Sequence, residues 1–276
     1  MSGSERVEPL LRVERLVKQL PYKDGLAKKY TLAVDDVSFT LNRGETLGIV
    51  GESGSGKSTL GRSVLRLIEP TSGEVWFEDV NLTKLSPKEL RKVRRNFQMV
   101  FQDPYASLNP RQKIGDTISE PLKIHRLAKT RHELEGKVNE LLDRVGLPAD
   151  YANRYSHELS GGQRQRIGLA RAIAVSPQLI VFDEAVSALD VSIQAQILNL
   201  IKDLQEQLQL SYLFITHDLS VVRHVATHIA VMNKGKIVEM AKADDLLSQP
   251  RHPYTQSLLS SVPIVNRSRT QNQDKR

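Results

Sequence analysis

Apolar and polar residues fall into two alternating regimes along this chain, one with the period of strands and one with the period of helices. Residues 10–17 and 33–41 read as strands, the second alternating through Ala33-Val-Asp-Asp-Val-Ser-Phe-Thr-Leu41 until Asn42-Arg-Gly44 turns the chain. Together they predict an antiparallel β piece. Between them, Pro21-Tyr-Lys-Asp-Gly-Leu-Ala-Lys-Lys-Tyr30 is polar and reads as a loop. The apolar run 46–50 follows, then a glycine loop and a helix-compatible stretch at 60–68. After the turn Pro70-Thr-Ser-Gly73 comes a short strand at 74–77. Residues 86–95 carry a helix start, a serine cap with proline at the first position, and a basic run that reads as a solvated face. The apolar stretch 97–101 then ends at Gln102, ahead of the turn-rich Asp103-Pro-Tyr-Ala-Ser-Leu-Asn-Pro110.

From residue 114 to about 147 the pattern is helical only. Ile118, Leu122, His125 and Leu127, then Leu134, Val138, Leu141, Leu142 and Val145, recur at steps of three and four. With no strand candidate between them, residues 103–160 read as an inserted helical subdomain. Strands then return. Leu159-Ser-Gly-Gly-Gln163 opens a helix to about residue 175, and Leu179-Ile-Val-Phe-Asp183-Glu184 suits a fully buried parallel strand ending in two carboxylates. The helix after Asp190 has an apolar stripe of Ile193, Ile197, Leu200, Leu204 and Leu208. Residues 212–216 form a second buried strand that ends at His217-Asp218, and 229–238 read as a hairpin with its turn at Gly235. Residues 243–248 and 254–261 read as helical. The expected class is therefore α/β, with an N-terminal antiparallel β subdomain and inserted helices.

Composition narrows the function classes. At 276 residues, 39% hydrophobic and 26% charged, the chain reads as an ordinary soluble globular protein of one or two domains. No apolar run approaches the roughly 18 residues that a membrane helix needs, and Met1-Ser-Gly-Ser-Glu-Arg6 has no signal-peptide pattern. The expectation is a cytoplasmic protein whose membrane role, if any, comes through a partner. The absence of cysteine excludes disulfides, thiolate catalysis and cysteine-ligated metal sites. A formal charge of +7 fits nucleic acid or an anionic membrane face, but part of it sits in the polar tail after residue 262. That tail is expected to be disordered and solvated.

The candidate chemistry starts at Gly51-Glu52-Ser53-Gly54-Ser55-Gly56-Lys57-Ser58-Thr59, which fits the phosphate-binding pattern G-x-x-x-x-G-K-[ST] between a strand and a helix. Glycine lets the backbone come within hydrogen-bond reach of phosphate oxygens, the following helix turns its positive end to the anion, Lys57 reaches the β and γ phosphates, and Ser58 offers a hydroxyl to Mg2+. A second metal-positioning acid is expected at the end of an apolar strand, where Asp183 stands. Glu184 would then lie near the γ-phosphate as a general base, with His217 and Gln102 at neighbouring strand ends. Each has a plainer reading, as a strand-end cap or a structural histidine. Tyr22 and Tyr30 either stack on an adenine or are amphipathic surface residues.

Taken in order, the P-loop, Gln102, Leu159-Ser-Gly-Gly-Gln163, the run into Asp183-Glu184, Ser187-Ala-Leu-Asp190 and His217 resemble the ATP-binding subunit of an ABC transporter, over about residues 10–262. The resemblance implies a P-loop NTPase core of the ABC ATPase fold that binds ATP and Mg2+. It implies that 51–59 hold the triphosphate, that Ser58, Gln102 and Asp183 hold the metal, that Glu184 polarises water and that His217 steadies the γ-phosphate. Ser160, Gly161, Gly162 and Gln163 would serve ATP on a second ATPase subunit, identical or paralogous, with Asp190 in the D-loop. Phe101-Gln-Asp-Pro-Tyr-Ala-Ser-Leu-Asn-Pro110, Ser187-Ala-Leu-Asp-Val-Ser-Ile-Gln-Ala-Gln196 and His252-Pro-Tyr-Thr255 look most like the peptide/nickel branch of importers. That branch implies two permeases, a binding protein acting indirectly, no nucleic acid, and a place on the cytoplasmic face of the inner membrane. Peptide is the expected cargo, with nickel or a nickel chelate as the alternative within the branch and a soluble ATPase acting on nucleic acid or ribosomes as the alternative outside it. Three positions depart from the branch: Ala185 replaces a common proline, Leu20 replaces an adenine-stacking aromatic, which leaves Tyr22 as the substitute, and a C-terminal cysteine cluster is missing.

Overall fold

The buried strands sort their side chains into two cores, and that sorting builds the molecule. The computed structural model describes residues 8–25, 27–102 and 108–260. A six-stranded sheet contains β3 (Thr46–Val50), β6 (Phe97–Val100), β7 (Leu179–Asp183), β8 (Ser211–Thr216), β9 (His228–Asn233) and β10 (Lys236–Lys242), in the order β10-β9-β3-β8-β7-β6. All neighbours are parallel except β9 and β10, which form the expected hairpin. Along β7, Leu179 and Val181 join one cluster while Ile180 and Phe182 join the other; along β8, Leu213 and Ile215 part from Tyr212 and Phe214 in the same way. A strand covered on both faces must be apolar at every position, which explains the unbroken runs in the sequence.

One face is covered by the antiparallel sheet β2-β1-β4-β5, made of β1 (Leu11–Asp24), β2 (Ala27–Leu41), β4 (Ser72–Phe77) and β5 (Val80–Asn81). Leu11, Val13, Val37, Phe39, Val75 and Phe77 meet Leu60 and Val64 of α1 (Lys57–Val64) there. Helix α2 (Pro87–Val93) closes the edge, with the Ser86–Glu89 capping box that its sequence calls for. The other face carries α3 (Ile114–Ile124), α4 (Arg131–Arg144), α5 (Gly161–Ile173) and α6 (Val191–Leu208), with Ile118, Leu122 and Leu142 in one cluster with Phe182 and Phe214. Helix α7 (Leu219–Val225) and the C-terminal α8 (Ala243–Ser248) and α9 (Pro253–Ser260) build a third, smaller cluster around Val50 and Val231.

Three expectations change. Residues 21–24 and 27–30 are not a loop: β1 runs on to Asp24 and pairs through Pro21↔Tyr30, Tyr22↔Lys29 and Asp24↔Ala27, with Gly25 at φ 62° in the turn. A two-stranded ribbon solvated on both faces needs main-chain pairing but no apolar alternation, so the pattern could not reveal it. Pro21 is tolerated because β4 pairs with β1 only over Leu11–Val17 and leaves that edge open. The helix expected at 60–68 begins earlier, at Lys57, and ends at Val64, with Arg66 at φ 49°. Helix α7 had no predicted counterpart; its valines have weak helix propensity, and the signal was the Asp218 cap, whose side chain accepts from the Ser220 N–H. Residues 103–107 of the expected helical insertion, and the tail after residue 260, lie outside the described residues.

Candidate functional site

In the middle of the large sheet the chain leaves β3 for α1, between the parallel neighbours β8 and β9. The carboxyl ends of β7 and β8 open on the same side, and such edges are where open α/β sheets hold ligands. Gly56 caps α1 at φ 104°, and a Cβ there would lie 1.9 Å from the Ala33 carbonyl oxygen, so glycine is the one residue that fits. Lys57 is 4% exposed. Its Nζ donates to the Gly51 and Glu52 carbonyls, 2.7 Å each, and lies 3.4 Å from Ser55 Oγ. Burial lowers the ammonium's pKa from the ordinary lysine value, and the carboxylates of Glu184, Asp183 and Glu52 oppose the shift.

Ser58 donates its hydroxyl to Asp183 Oδ1 at 2.6 Å, and Arg62, one helical turn further along α1, donates to Asp183 Oδ2 at 3.2 Å. Asp183 is buried at the end of β7, so both its oxygens are held by one face of one helix. Glu184, the next residue, adopts φ 49° and donates its N–H to the Ile215 carbonyl of β8 at 2.9 Å. A left-handed glutamate costs about 1–2 kcal/mol, the kind of strain that concentrates where a side chain must point in one direction. Its Oε2 accepts from Gln102 Nε2 at 3.0 Å and lies 3.3 Å from His217 Nδ1. Gln102 follows β6 and His217 follows β8. Three neighbouring strand ends thus bring the sequence-predicted Gln102, Asp183, Glu184 and His217 together beside the loop that carries Lys57 and Ser58.

The remaining candidates sit elsewhere. Ser160 caps α5 in a reciprocal box with Gln163: the Ser160 N–H donates to Gln163 Oε1 at 2.9 Å and the Gln163 N–H to Ser160 Oγ at 3.3 Å. Gln163 Nε2 also donates to the Tyr151 hydroxyl at 3.0 Å. Asp190 caps α6 by accepting from the Ile193 N–H at 3.0 Å and the Ser192 hydroxyl at 2.8 Å, and the backbone bond first, then the serine, holds its carboxyl below the usual aspartate range. Gly161 and Gly162 bring these helices together: a Cβ on Gly161 would lie 3.2 Å from Leu189, and on Gly162 2.5 Å from Ile193. Tyr22 and Tyr30 are 46% and 56% exposed, on opposite faces of the β1–β2 ribbon because Tyr22 pairs with Lys29 and Tyr30 with Pro21. Sequence reasoning passed over two residues. Arg62 carried a signal in its four-residue spacing from Ser58; Tyr254, whose hydroxyl oxygen accepts from the Glu52 N–H at 3.2 Å, had none beyond its place in His252-Pro-Tyr254.

Residues 34–187 match the ABC transporter family, and 238–276 match the family described as oligopeptide/dipeptide transporter, C-terminal region. The chain belongs to the ABC transporter family. It is 55% identical over 258 residues to the oligopeptide transport ATP-binding protein OppF of Bacillus subtilis, covering 93% of this chain and 83% of that protein. It is 52% identical over 265 residues to the glutathione import ATP-binding protein GsiA of Escherichia coli, covering 95% of this chain and 42% of that longer protein. Among solved structures, it is similar to the ATP-binding cassette MJ0796 in a dimeric post-hydrolysis state bound to ADP and Pi, at a TM-score of 0.74 and 31% identity, over 84% of this chain and 98% of that one. It is likewise similar to CbiO1 of Clostridium perfringens, part of the transporter complex CbiONQ, at a TM-score of 0.75 and 26% identity, over 87% and 91%. The ABC ATPase fold and the ATP-hydrolysing activity expected from the motifs are therefore established for this chain as a family member. None of the helices among its described residues is long and apolar enough to cross a membrane.

Proposed function

We propose that this chain binds Mg-ATP in the loop 51–59, hydrolyses it at Glu184, and thereby energises uptake of peptides through membrane permeases. The observation that carries the reading is the meeting of Gln102 and His217 on one oxygen of Glu184 beside Lys57 and the Ser58–Asp183 pair. A carboxylate held in that way can accept a proton from an attacking water, and the amide and imidazole fix where it points. Lys57 would move its ammonium from two carbonyls to the phosphate oxygens. Ser58 and Asp183 offer hard oxygens 2.6 Å apart, a donor set that suits Mg2+, with Gln102 as a third oxygen donor. When bound, Mg2+ neutralises charge on the β and γ oxygens. Of the two tyrosines, Tyr22 is our choice for the adenine.

Ser160, Gly161, Gly162 and Gln163 would act on ATP held by a second ATPase subunit, with Asp190 setting the angle of α6 at that contact. The hydrogen bonds of Ser160 and Gln163 run to each other and to Tyr151, and none of them runs to the loop 51–59. The dimeric cassette MJ0796 supports the pairing. Peptide as cargo rests on OppF and AppF, both named oligopeptide transport proteins, and on GsiA, a glutathione importer; these relatives weigh against nickel and against a nucleic-acid role. The subunit would lie on the cytoplasmic face of the inner membrane, beneath two permeases fed by a binding protein. The test is reconstitution with those permeases in vesicles. ATP-dependent accumulation of labelled peptide, lost in Lys57→Ala, is the expected result, and peptide-independent ATP turnover without uptake would remove the transport assignment.

A further inference from the structure

The C-terminal helices reach the phosphate loop through Tyr254, a contact that the hydrolytic groups do not use. Tyr254 packs in the cluster of Val50, Val231, Leu219 and Leu246, so it lies beneath the last residue of β3, where the loop begins. Its hydroxyl oxygen then accepts from the Glu52 backbone N–H at 3.2 Å, across more than two hundred residues of sequence. The N–H of Glu52 and the carbonyl of Gly51 belong to one rigid peptide unit. That carbonyl is one of the two that hold Lys57 Nζ at 2.7 Å. Tyr254 and Lys57 therefore grip opposite ends of the same peptide plane. Gly51 is packed close to β9, where an added Cβ would lie 2.1 Å from the Met232 carbonyl oxygen, so no side chain fits there.

The tyrosine is itself held. Glu239 of β10 accepts the N–H groups of Arg251 at 2.8 Å and His252 at 3.0 Å, and the Tyr254 N–H donates to His252 Nδ1 at 3.1 Å. This network orients the first turn of α9 and with it the phenol ring. We propose that Tyr254 is a positioning residue of the phosphate loop: its hydroxyl fixes the Gly51–Glu52 peptide so that the carbonyl at the other end keeps Lys57 aimed for a nucleoside triphosphate. The proposal rests on the reading of 51–59 as the phosphate cradle and deepens it by giving the C-terminal region a part in nucleotide affinity.

The test uses the full-length chain and a fluorescent ribose-labelled ATP with Mg2+. Tyr254→Phe keeps the ring in its cluster and removes only the acceptor oxygen. Loss of one neutral hydrogen bond in this setting corresponds to roughly a threefold to tenfold weaker Kd. Thermal midpoint should stay at the wild-type value, whereas Leu247→Ala, which thins the same cluster without touching the loop, should lower the midpoint and leave Kd alone. In a Lys57→Ala background, Tyr254→Phe should add little, because the two act on one peptide. A Tyr254→Phe chain that binds as tightly as wild type, or whose effect adds in full to that of Lys57→Ala, overturns the proposal while the cradle stands. If the wild-type chain fails to bind labelled ATP, or Lys57→Ala binds it equally well, the cradle reading falls and the proposal with it.

Discussion

Replacing Glu184 by glutamine tests the hydrolytic assignment with the least disturbance to shape. The side chain keeps its length, and its backbone keeps φ 49°, which glutamine tolerates no worse than glutamate. What changes is one oxygen. Oε2 accepts from Gln102 Nε2 at 3.0 Å and lies 3.3 Å from His217 Nδ1; an amide can present its carbonyl to both but cannot take a proton from water. A positioned general base contributes about 10²- to 10⁴-fold, or about 3–5 kcal/mol of the barrier, and all of it should appear in kcat. The contacts of Lys57 with the Gly51 and Glu52 carbonyls do not involve Glu184, so Kd for labelled ATP at neutral pH should change by less than about threefold. Glu184 is also the strongest of the carboxylates that support the charge on Lys57, so its neutralisation should move the alkaline limb of ATP binding to lower pH. Phosphate release by the reconstituted transporter reads the first effect, and titration of the purified chain reads the other two. Release by Glu184→Gln within about threefold of wild type would refute the assignment of the base, since loss of a positioned general base costs at least about 10²-fold.

Lys57 gives a pH dependence of defined sign. Its folded pKa lies below the 10.5 of an ordinary lysine, so the charge proposed to bind phosphate is present below that lowered value and is lost as pH rises through it. ATP affinity should therefore fall with rising pH at a midpoint below 10.5, and Lys57→Arg should abolish the midpoint in the same titration. Folding stability moves the opposite way in that window, rising between the folded pKa and 10.5 because the unfolded chain then binds more protons, and urea unfolding at several pH values checks it. Arg62→Gln leaves a buried Asp183 with Ser58 alone; as Arg62 is 44% exposed, the loss should be about 1 kcal/mol in urea unfolding rather than that of a fully buried pair. Gly162→Val forces a Cβ to 2.5 Å from Ile193, which should lower stability by about 1–3 kcal/mol and ATP turnover with it, while labelled-ATP binding by the single chain stays intact.

What could be read in the sequence was decided by how much of each element is buried. The runs 47–50, 179–182 and 212–215 carry no charged or amide side chain because both faces of β3, β7 and β8 are covered, and an unbroken run between turn residues is a strong signal. The site followed from those runs, since Asp183 and Glu184 directly follow one of them, His217 follows another after Thr216, and Gln102 lies two residues beyond β6. The ribbon left no such mark because side chains such as Tyr22 and Tyr30 face solvent, one on each face. Helix α7 was hidden by valines that favour strands locally, and tertiary packing of Val221 and Val222 overrode that preference. Arg62 and Tyr254 lie outside any short motif. Each acts across more than a hundred residues of chain, a distance at which only the fold can state the contact.

The same geometry argues for a division of labour between two copies of the fold. Within one chain, the start of α5 is closed on itself: the Ser160 hydroxyl and the Gln163 amide satisfy each other's backbone groups, and Gln163 is tied back to Tyr151. An N-terminus capped in this way has its remaining N–H groups pointing along the helix axis, away from the core that Leu169 and Ile173 bury. Glycine at 161 and 162 keeps that tip low enough for another surface to approach it, and it also lets α5 sit against Leu189 and Ile193 at the start of α6. Val191, next to the Asp190 cap, is 83% exposed, an apolar side chain left at the edge of that tip. A helix start that is preformed, glycine-faced and rimmed by apolar surface is suited to receive an anion carried in by a partner. Closure over ATP would then bury the tip and Val191 together. Val191→Asp should therefore weaken trapping of ATP between subunits, scored by size-exclusion chromatography of the Glu184→Gln chain with Mg-ATP. Unchanged dimer formation by that double variant would mean that the second copy approaches by another face.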